Sequence, residues 1–253
     1  MASIDRVVLI TGASSGIGAA TARALAGPGT ALVLQARNNR AGADKVAAEA
    51  RAAGSDVLVV EGDLAQAAVP ARLVADATAR FGRLDIVVSN AGFADRRPIG
   101  EVDRAAWDAS LATMTTAFFE LATAAKPWLI KAGSGARMVG VSSFVAHAFA
   151  RGIMSFPVSA AAKAGMEALA RAFAVELAPT GGTVNCVAPG FIEKDAGTHV
   201  AVPRAGMAKV SGSIPMGRYG KPAEVAAVIA FLCSANAAYV TGQTVHVNGG
   251  LTL

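Results

Sequence analysis

The sequence predicts an α/β fold: a doubly wound, seven-stranded parallel sheet with helices on both faces. Three observations point there. Seven short runs rich in Val, Leu and Ile recur along the chain, Ala-rich stretches of helical periodicity separate them, and the glycine-rich string TGASSGIG falls directly after the first run. The expected strands are 7–11, 31–35, 57–61, 84–89, 137–141, 183–187 and 244–247, and the expected helices are 16–26, 41–53, 69–81, 105–131, 158–177 and 222–233. VVLI, VLVV and DIVVS are apolar at consecutive positions rather than alternate ones, as strands covered on both faces must be. Such alternation implies right-handed crossovers between parallel neighbours.

With 253 residues, 53% of them hydrophobic, the chain can close one sizeable core, so a single domain spanning 1–253 is expected. The segment 189–221, rich in Gly and Pro and weak in helical signal, is read as a lid over the site. Charged residues make up 16% against a usual share of about 25%, which excludes disorder driven by charge. The net charge of +5 suits a phosphate-bearing ligand. Its basic residues are scattered and its aromatics few, so no nucleic-acid partner is expected and a small-molecule substrate is. Cys186 and Cys233 match no metal spacing and read as buried thiols of a cytoplasmic protein; no metal is expected. No secretory leader is read in MASIDRVVLITG. The continuously apolar stretch from Val225 to Cys233 is nine residues long, too short for a bilayer that needs about 20.

In TGASSGIG, Gly12 permits the tight turn, Gly16 lets the backbone approach a ligand and Gly18 lets the helix pack on the sheet. Backbone N–H groups and the helix N-terminus then offer a seat for a diphosphate. After the second strand the chain reads Gln35, Ala36, Arg37, with no carboxylate for a ribose 2′-hydroxyl and a guanidinium suited to a 2′-phosphate, which favours NADP(H) over NAD(H). Asp63 follows the third strand, where it serves either an adenine amino group or a helix cap. Asn90, Ala91 and Gly92 follow the fourth, either as cofactor contacts or as turn chemistry. All sit at strand carboxyl ends, where open α/β sheets bind ligands.

These motifs, with Ser142–Ser143 after the fifth strand, Lys163 in the following helix, Pro189–Gly190 after the sixth strand, GRYGKPAEVAAVIAFLCS and YVTGQTVHVNGG, resemble the short-chain dehydrogenases/reductases over nearly the whole chain, most of all the 3-oxoacyl carrier-protein reductase branch. The resemblance implies a single-domain Rossmann fold with strand order 3-2-1-4-5-6-7, hydride transfer with a nicotinamide cofactor, and a homotetramer or homodimer. It implies cofactor contacts from Gly12, Ser14, Ser15, Gly16, Ile17, Gly18, Arg37, Asp63, Leu64, Asn90, Ala91, Gly92, Lys163, Pro189, Gly190 and Ile192. Ser143 and Lys163 match the residues that hold the substrate oxygen and grip the ribose. The proton-donating tyrosine is missing: four residues before Lys163 stands Ser159, and seven before it, where the enoyl reductase branch has its tyrosine, stands Phe156. Met114 occupies the place of the relay asparagine, and Lys194 that of a cofactor-binding threonine.

A serine is a weaker acid than a phenol, so Ser159 is expected to donate a hydrogen bond rather than a proton, from the helix face it shares with Lys163. His147, four residues beyond Ser143, is the neighbouring group whose ordinary pKa suits proton donation at neutral pH, or else a surface histidine. Reduction of an activated C=C makes a lighter demand, because an enolate oxygen needs only hydrogen bonding. Met114, Phe144, Phe149, Met154 and Phe156 are expected either to form an apolar pocket for an acyl, alicyclic or aromatic substrate or to be ordinary core packing, the two standing level for Met114. Two functions follow: a reductase of ketones or activated alkenes with Ser143, Ser159, Lys163 and His147 at an atypical site, or a cofactor-binding subunit of little activity that serves assembly or sensing.

Overall fold

The structure, a computed structural model, describes residues 3–149, 155–194 and 211–253. Seven strands form one sheet: β1 (Arg6–Ile10), β2 (Thr30–Ala36), β3 (Asp56–Glu61), β4 (Ile86–Ser89), β5 (Arg137–Val141), β6 (Thr183–Pro189) and β7 (Thr244–Val247). Every pairing is parallel and the order is 3-2-1-4-5-6-7. The order reverses at β1, whose neighbours are β2 and β4, and a crevice opens there at the carboxyl edge.

The helices are α1 (Gly16–Leu25), α2 (Arg40–Ala52), α3 (Ala68–Phe81), α4 (Arg104–Leu111), α5 (Ala117–Ala132), α6 (Pro157–Leu177) and α7 (Pro222–Leu232). Local chemistry starts several of them. Asn39 accepts a hydrogen bond from the Gly42 N–H at the head of α2, Asp103 accepts one from Ala106 N–H at the head of α4, and Pro157 opens α6, where its missing N–H costs nothing.

Two apolar layers flank the sheet, and β1 feeds both. Val7 and Leu9 point to a core with Leu73 of α3, Phe118 and Leu121 of α5 and Met166 of α6; Val8 and Ile10 point to one with Ala19 of α1, Val46 of α2 and Ile229 of α7. This two-sided burial is why the strands read as continuous apolar runs.

Most elements differ from the sequence reading by a residue or two at their ends, and two of the differences have a visible cause. The helix expected over 105–131 runs as α4 and α5 joined by a π-helical turn, Ala112–Thr116, in which the Ala117 N–H reaches back to the Ala112 carbonyl. The widened turn coincides with a hydrogen bond from Thr115 Oγ1 to the Ala162 carbonyl of α6, 2.7 Å long. The strand expected over 84–89 begins at Ile86. Just ahead of it the Asp85 carboxylate takes the Val7 N–H at 2.7 Å and the Arg83 guanidinium at 2.8 Å, spanning the start of β1 and β4.

Asp85→Ala leaves the buried Val7 N–H without its acceptor and is expected to cost about 1–3 kcal/mol in urea unfolding. A loss below about 0.5 kcal/mol, the usual range of surface substitutions, would show that the carboxylate does not hold this end of the sheet.

Candidate active site

A cleft of about 660 Å³ runs along the carboxyl ends of the strands. At one end lies the turn after β1, whose shape is set by steric necessity. Gly12 sits at φ +63°, and a Cβ on Gly18 would stand 2.3 Å from the Gly12 carbonyl oxygen, so any side chain at 18 would drive α1 off the turn. Three polar side chains hold this turn. Gln35, buried in β2, accepts from the Gly12 N–H at 2.8 Å and donates to the Gly62 carbonyl at 2.6 Å. Thr11 Oγ1 accepts from the N–H groups of Asn90 and Ala91, and Asn90 Nδ2 donates to the carbonyls of Thr11 and Gly12 at 2.9 and 3.2 Å. The role of Asn90 is therefore to tie the β4 loop to the glycine turn.

Of the residues expected at the cofactor end, Gly12, Ser14, Ser15, Gly16 and Ile17 line the cleft, as do Arg37, Asp63 and Leu64 beyond β2 and β3, Asn90, Ala91 and Gly92 beyond β4, and Pro189, Gly190 and Ile192 beyond β6. Gly18 lies behind the turn and contributes packing alone. Asp63 also accepts from the Ala65 N–H at 3.0 Å; α3 starts later, at Ala68, so the aspartate shapes a turn rather than capping the helix.

At the other end stand Ser143, Ser159 and Lys163, walled by Phe144 and Phe156. Lys163 is buried, and its Nζ donates to the Val141 carbonyl at 2.6 Å. Ser159 is 2% exposed, and its Oγ accepts from the Asp95 N–H at 2.9 Å, which fastens the loop after β4 onto the first turns of α6. The next residues brace that loop, Arg97 gripping the Asp95 carboxylate at 2.5 Å.

Three expected residues lie elsewhere. Met114, 1% exposed, packs behind Gly92 in the π-helical turn and does not line the cleft: it is a core side chain. His147 does not line it either; its Nε2–H donates to Glu167 Oε1 at 2.8 Å, and its ring meets that of His246 edge-on at 4.5 Å. Phe149 is 77% exposed and stands away from the cleft. Met154 and residues 195–210 of the expected lid lie outside the described residues. The two described ends of that segment meet at the Ile192–Gly220 bridge.

Comparison with known proteins agrees with this geometry. A family model described as enoyl-(acyl carrier protein) reductase matches residues 12–252. The chain is 40% identical over 249 residues to a cis-4-hydroxycyclohexanecarboxylate dehydrogenase of Sinomonas cyclohexanicum, covering 98% of this chain and 97% of the relative. It is 37% identical over 253 residues to a 3-oxoacyl-[acyl-carrier-protein] reductase of a Synechocystis strain, covering 98% and 97%. Among solved structures, a short-chain dehydrogenase/reductase of Serratia marcescens superposes with a TM-score of 0.90 at 28% identity, and a short-chain dehydrogenase of Burkholderia cenocepacia in complex with NADP with 0.91 at 28%, each over the full length of both chains.

The protein belongs to the short-chain dehydrogenase/reductase family. It is thus an oxidoreductase fold of the kind that binds a nicotinamide cofactor. No helix among the described residues is long and apolar enough to cross a membrane, and no cluster of metal-ligating side chains occurs among them.

Sequence reading of this dehydrogenase/reductase missed Gln35, Thr11 and Glu167, and the signal for the first two was present. A polar residue closing an otherwise apolar strand and a threonine opening a glycine turn are both out of keeping with burial unless they bond the backbone. The apolar end gained Phe93 and Phe191, the latter packed on Phe144 with ring centroids 4.6 Å apart.

Burial pulls the Lys163 ammonium down to about 8 from 10.5, opposed by Cys186 and Glu167. In the cofactor-free protein, folded and unfolded chains both hold this proton below pH 8, and the buried charge weakens the fold. Between about 8 and 10.5 the folded chain releases the proton first, so stability rises with pH, by on the order of 3 kcal/mol over that span. Burial of the Cys186 and Cys233 thiols pulls the other way above about pH 9 in any variant that keeps them, so urea unfolding of wild type against Lys163→Met should show the wild type gaining on the variant across this range; parallel curves would mean that Lys163 titrates normally.

Proposed function

We propose that the protein is an NADP(H)-dependent oxidoreductase that transfers hydride to a ketone or an activated C=C of an apolar or acyl-thioester-like substrate, through a site without the usual phenol. One observation carries this reading: a single cleft joins the glycine turn at the head of α1 to Lys163 and Ser143. The residues present fit such a cofactor. The Ser15 side chain makes no capping hydrogen bond at the start of α1, and Gly16, which lines the cleft, brings no side chain into it. When bound, the nicotinamide supplies the hydride.

The chain's own residues divide the remaining work. Arg37, exposed at the end of β2, meets the 2′-phosphate, and Lys163 grips the ribose hydroxyls from the floor of the cleft. Ser143 donates a hydrogen bond to the substrate oxygen. Ser159 already accepts from the Asp95 N–H, so what it retains for substrate is its own hydroxyl proton. With no phenol at 159, the final proton comes from water, and the anion that forms before it arrives is less costly as an enolate than as the more basic alkoxide. Phe144, Phe156 and Phe191 supply an apolar wall, in keeping with the alicyclic and acyl compounds for which the Sinomonas and Synechocystis relatives are named. We read residues 1–253 as one domain with 189–221 as its cover, working in the cytoplasm as a homotetramer or homodimer.

A second reading, a cofactor-binding subunit of little activity, draws on the Ser159 bond to Asp95, which spends the hydroxyl at the phenol's position on a loop.

NADPH oxidation with 3-oxoacyl thioesters, enoyl thioesters and cyclic ketones distinguishes these. The proposal expects turnover of at least one class and a fall in kcat/KM of roughly a hundredfold or more in Lys163→Ala. Turnover of enoyl but not oxo compounds selects alkene reduction, NADPH binding without any turnover selects the second reading, and no NADPH binding overturns both. Arg37→Ala should weaken NADPH binding by roughly tenfold while leaving NADH unchanged; equal effects on the two would remove the 2′-phosphate assignment.

A further inference from the structure

One helical turn beyond Lys163, α6 carries a carboxylate that the proposed chemistry leaves unused. Glu167 is 3% exposed. An ionised carboxylate taken out of water is costly unless its partners are well placed. Here one oxygen, Oε1, takes two of them: the Ser142 hydroxyl, in a short hydrogen bond, and His147 Nε2–H at 2.8 Å. Ser142 and His147 flank a six-residue turn between β5 and α6, and within it lie Ser143 and Phe144, both of which line the cleft. Inside the turn, Ser143 Oγ makes a single weak contact, accepting from the Val145 N–H at 3.4 Å, so the turn's own bonds do little to fix the hydroxyl.

The charged and titratable groups facing Glu167 come from every element packed around it. Lys163 and Arg171 lie one turn to either side on α6, Arg171 at 3.9 Å from Oε2; Cys186 approaches from β6, His147 from the turn, and His246 from β7 behind His147. The Glu167 charge favours the protonated form of Lys163 against the opposite pull of burial.

We propose that Glu167 is a positioning residue for the reacting end: one carboxylate oxygen clamps both flanks of the turn that carries Ser143, while the charge faces Lys163 along the same helix face. This rests on the reading that Ser143 and Lys163 serve the reacting atoms. It assigns His147 the role of second arm of the clamp, in place of the proton donor or surface histidine that the sequence offers.

The test uses cofactor-free full-length protein, so it stands whether or not a substrate is found. Glu167→Gln keeps the acceptor for both arms and removes the charge; Glu167→Ala removes both. In Glu167→Gln, amide hydrogen exchange over 142–147 should stay as in wild type, while the Lys163 titration, followed by NMR of labelled lysine, should move down by roughly half a unit or more. In Glu167→Ala, the same amides should exchange at least roughly tenfold faster. Should that variant fail to fold, Ser142→Ala, which cuts one arm, should give the faster exchange. An unmoved lysine titration in Glu167→Gln, or unchanged exchange in the variant that cuts the clamp, overturns the proposal. Absence of NADPH turnover in the wild type would instead defeat the functional reading and leave both of these measurements standing.

Discussion

The crevice exists because β1 has neighbours on both sides whose helices leave in opposite directions, and what keeps it a site rather than a fissure is the hydrogen bonding across its floor. Thr11 N–H bonds to the Val88 carbonyl, continuing the β1–β4 ladder one residue past the strand, and the Thr11 hydroxyl and the Asn90 amide then cross-link the two departing loops. Gln35 does the same from the β2 side. Thr11 and Gln35 are buried, so a bond lost by either would strand a backbone group. The glycine turn thus gains a fixed shape from side chains on three different strands or strand ends, and α1 inherits its direction from that shape.

The far end obeys a different constraint. Lys163 brings a cation into a nearly water-free position, and the groups that make this tolerable are a carbonyl at the end of β5 and a carboxylate one turn along α6. Ser142, bonded to that carboxylate, directly follows the strand that supplies the carbonyl. Lysine, carboxylate and turn therefore form one electrostatic unit.

How much of this was legible in the sequence follows from which interactions are local. The strands were readable because two-sided burial leaves a run such as Val7-Val8-Leu9-Ile10 with no polar position. The glycine turn was readable because only Gly fits at 12 and 18, and the chain order of strand-end motifs placed Lys163, Ser143 and Asn90 along one cleft. The break in the helix around Met114 was not readable: an Ala-rich stretch is helical by propensity, and the π turn coincides with the bond from its own Thr115 to a carbonyl on a neighbouring helix, 47 positions away. For the same reason Met114 looked like a pocket residue and lies in the core. His147 suited proton chemistry by type and distance along the chain, yet its partner is a glutamate 20 positions away that carries no motif. Polar residues whose meaning depends on a distant partner stay silent in a single sequence.

The hydrogen bond from the Asp95 backbone to Ser159 bears on what position 159 can hold. A small side chain there and the resting place of the loop after β4 depend on one another, because the loop is fastened to the serine oxygen itself. A bulkier residue at 159 would break that fastening as well as add volume, so engineering at this position is a change to two segments at once.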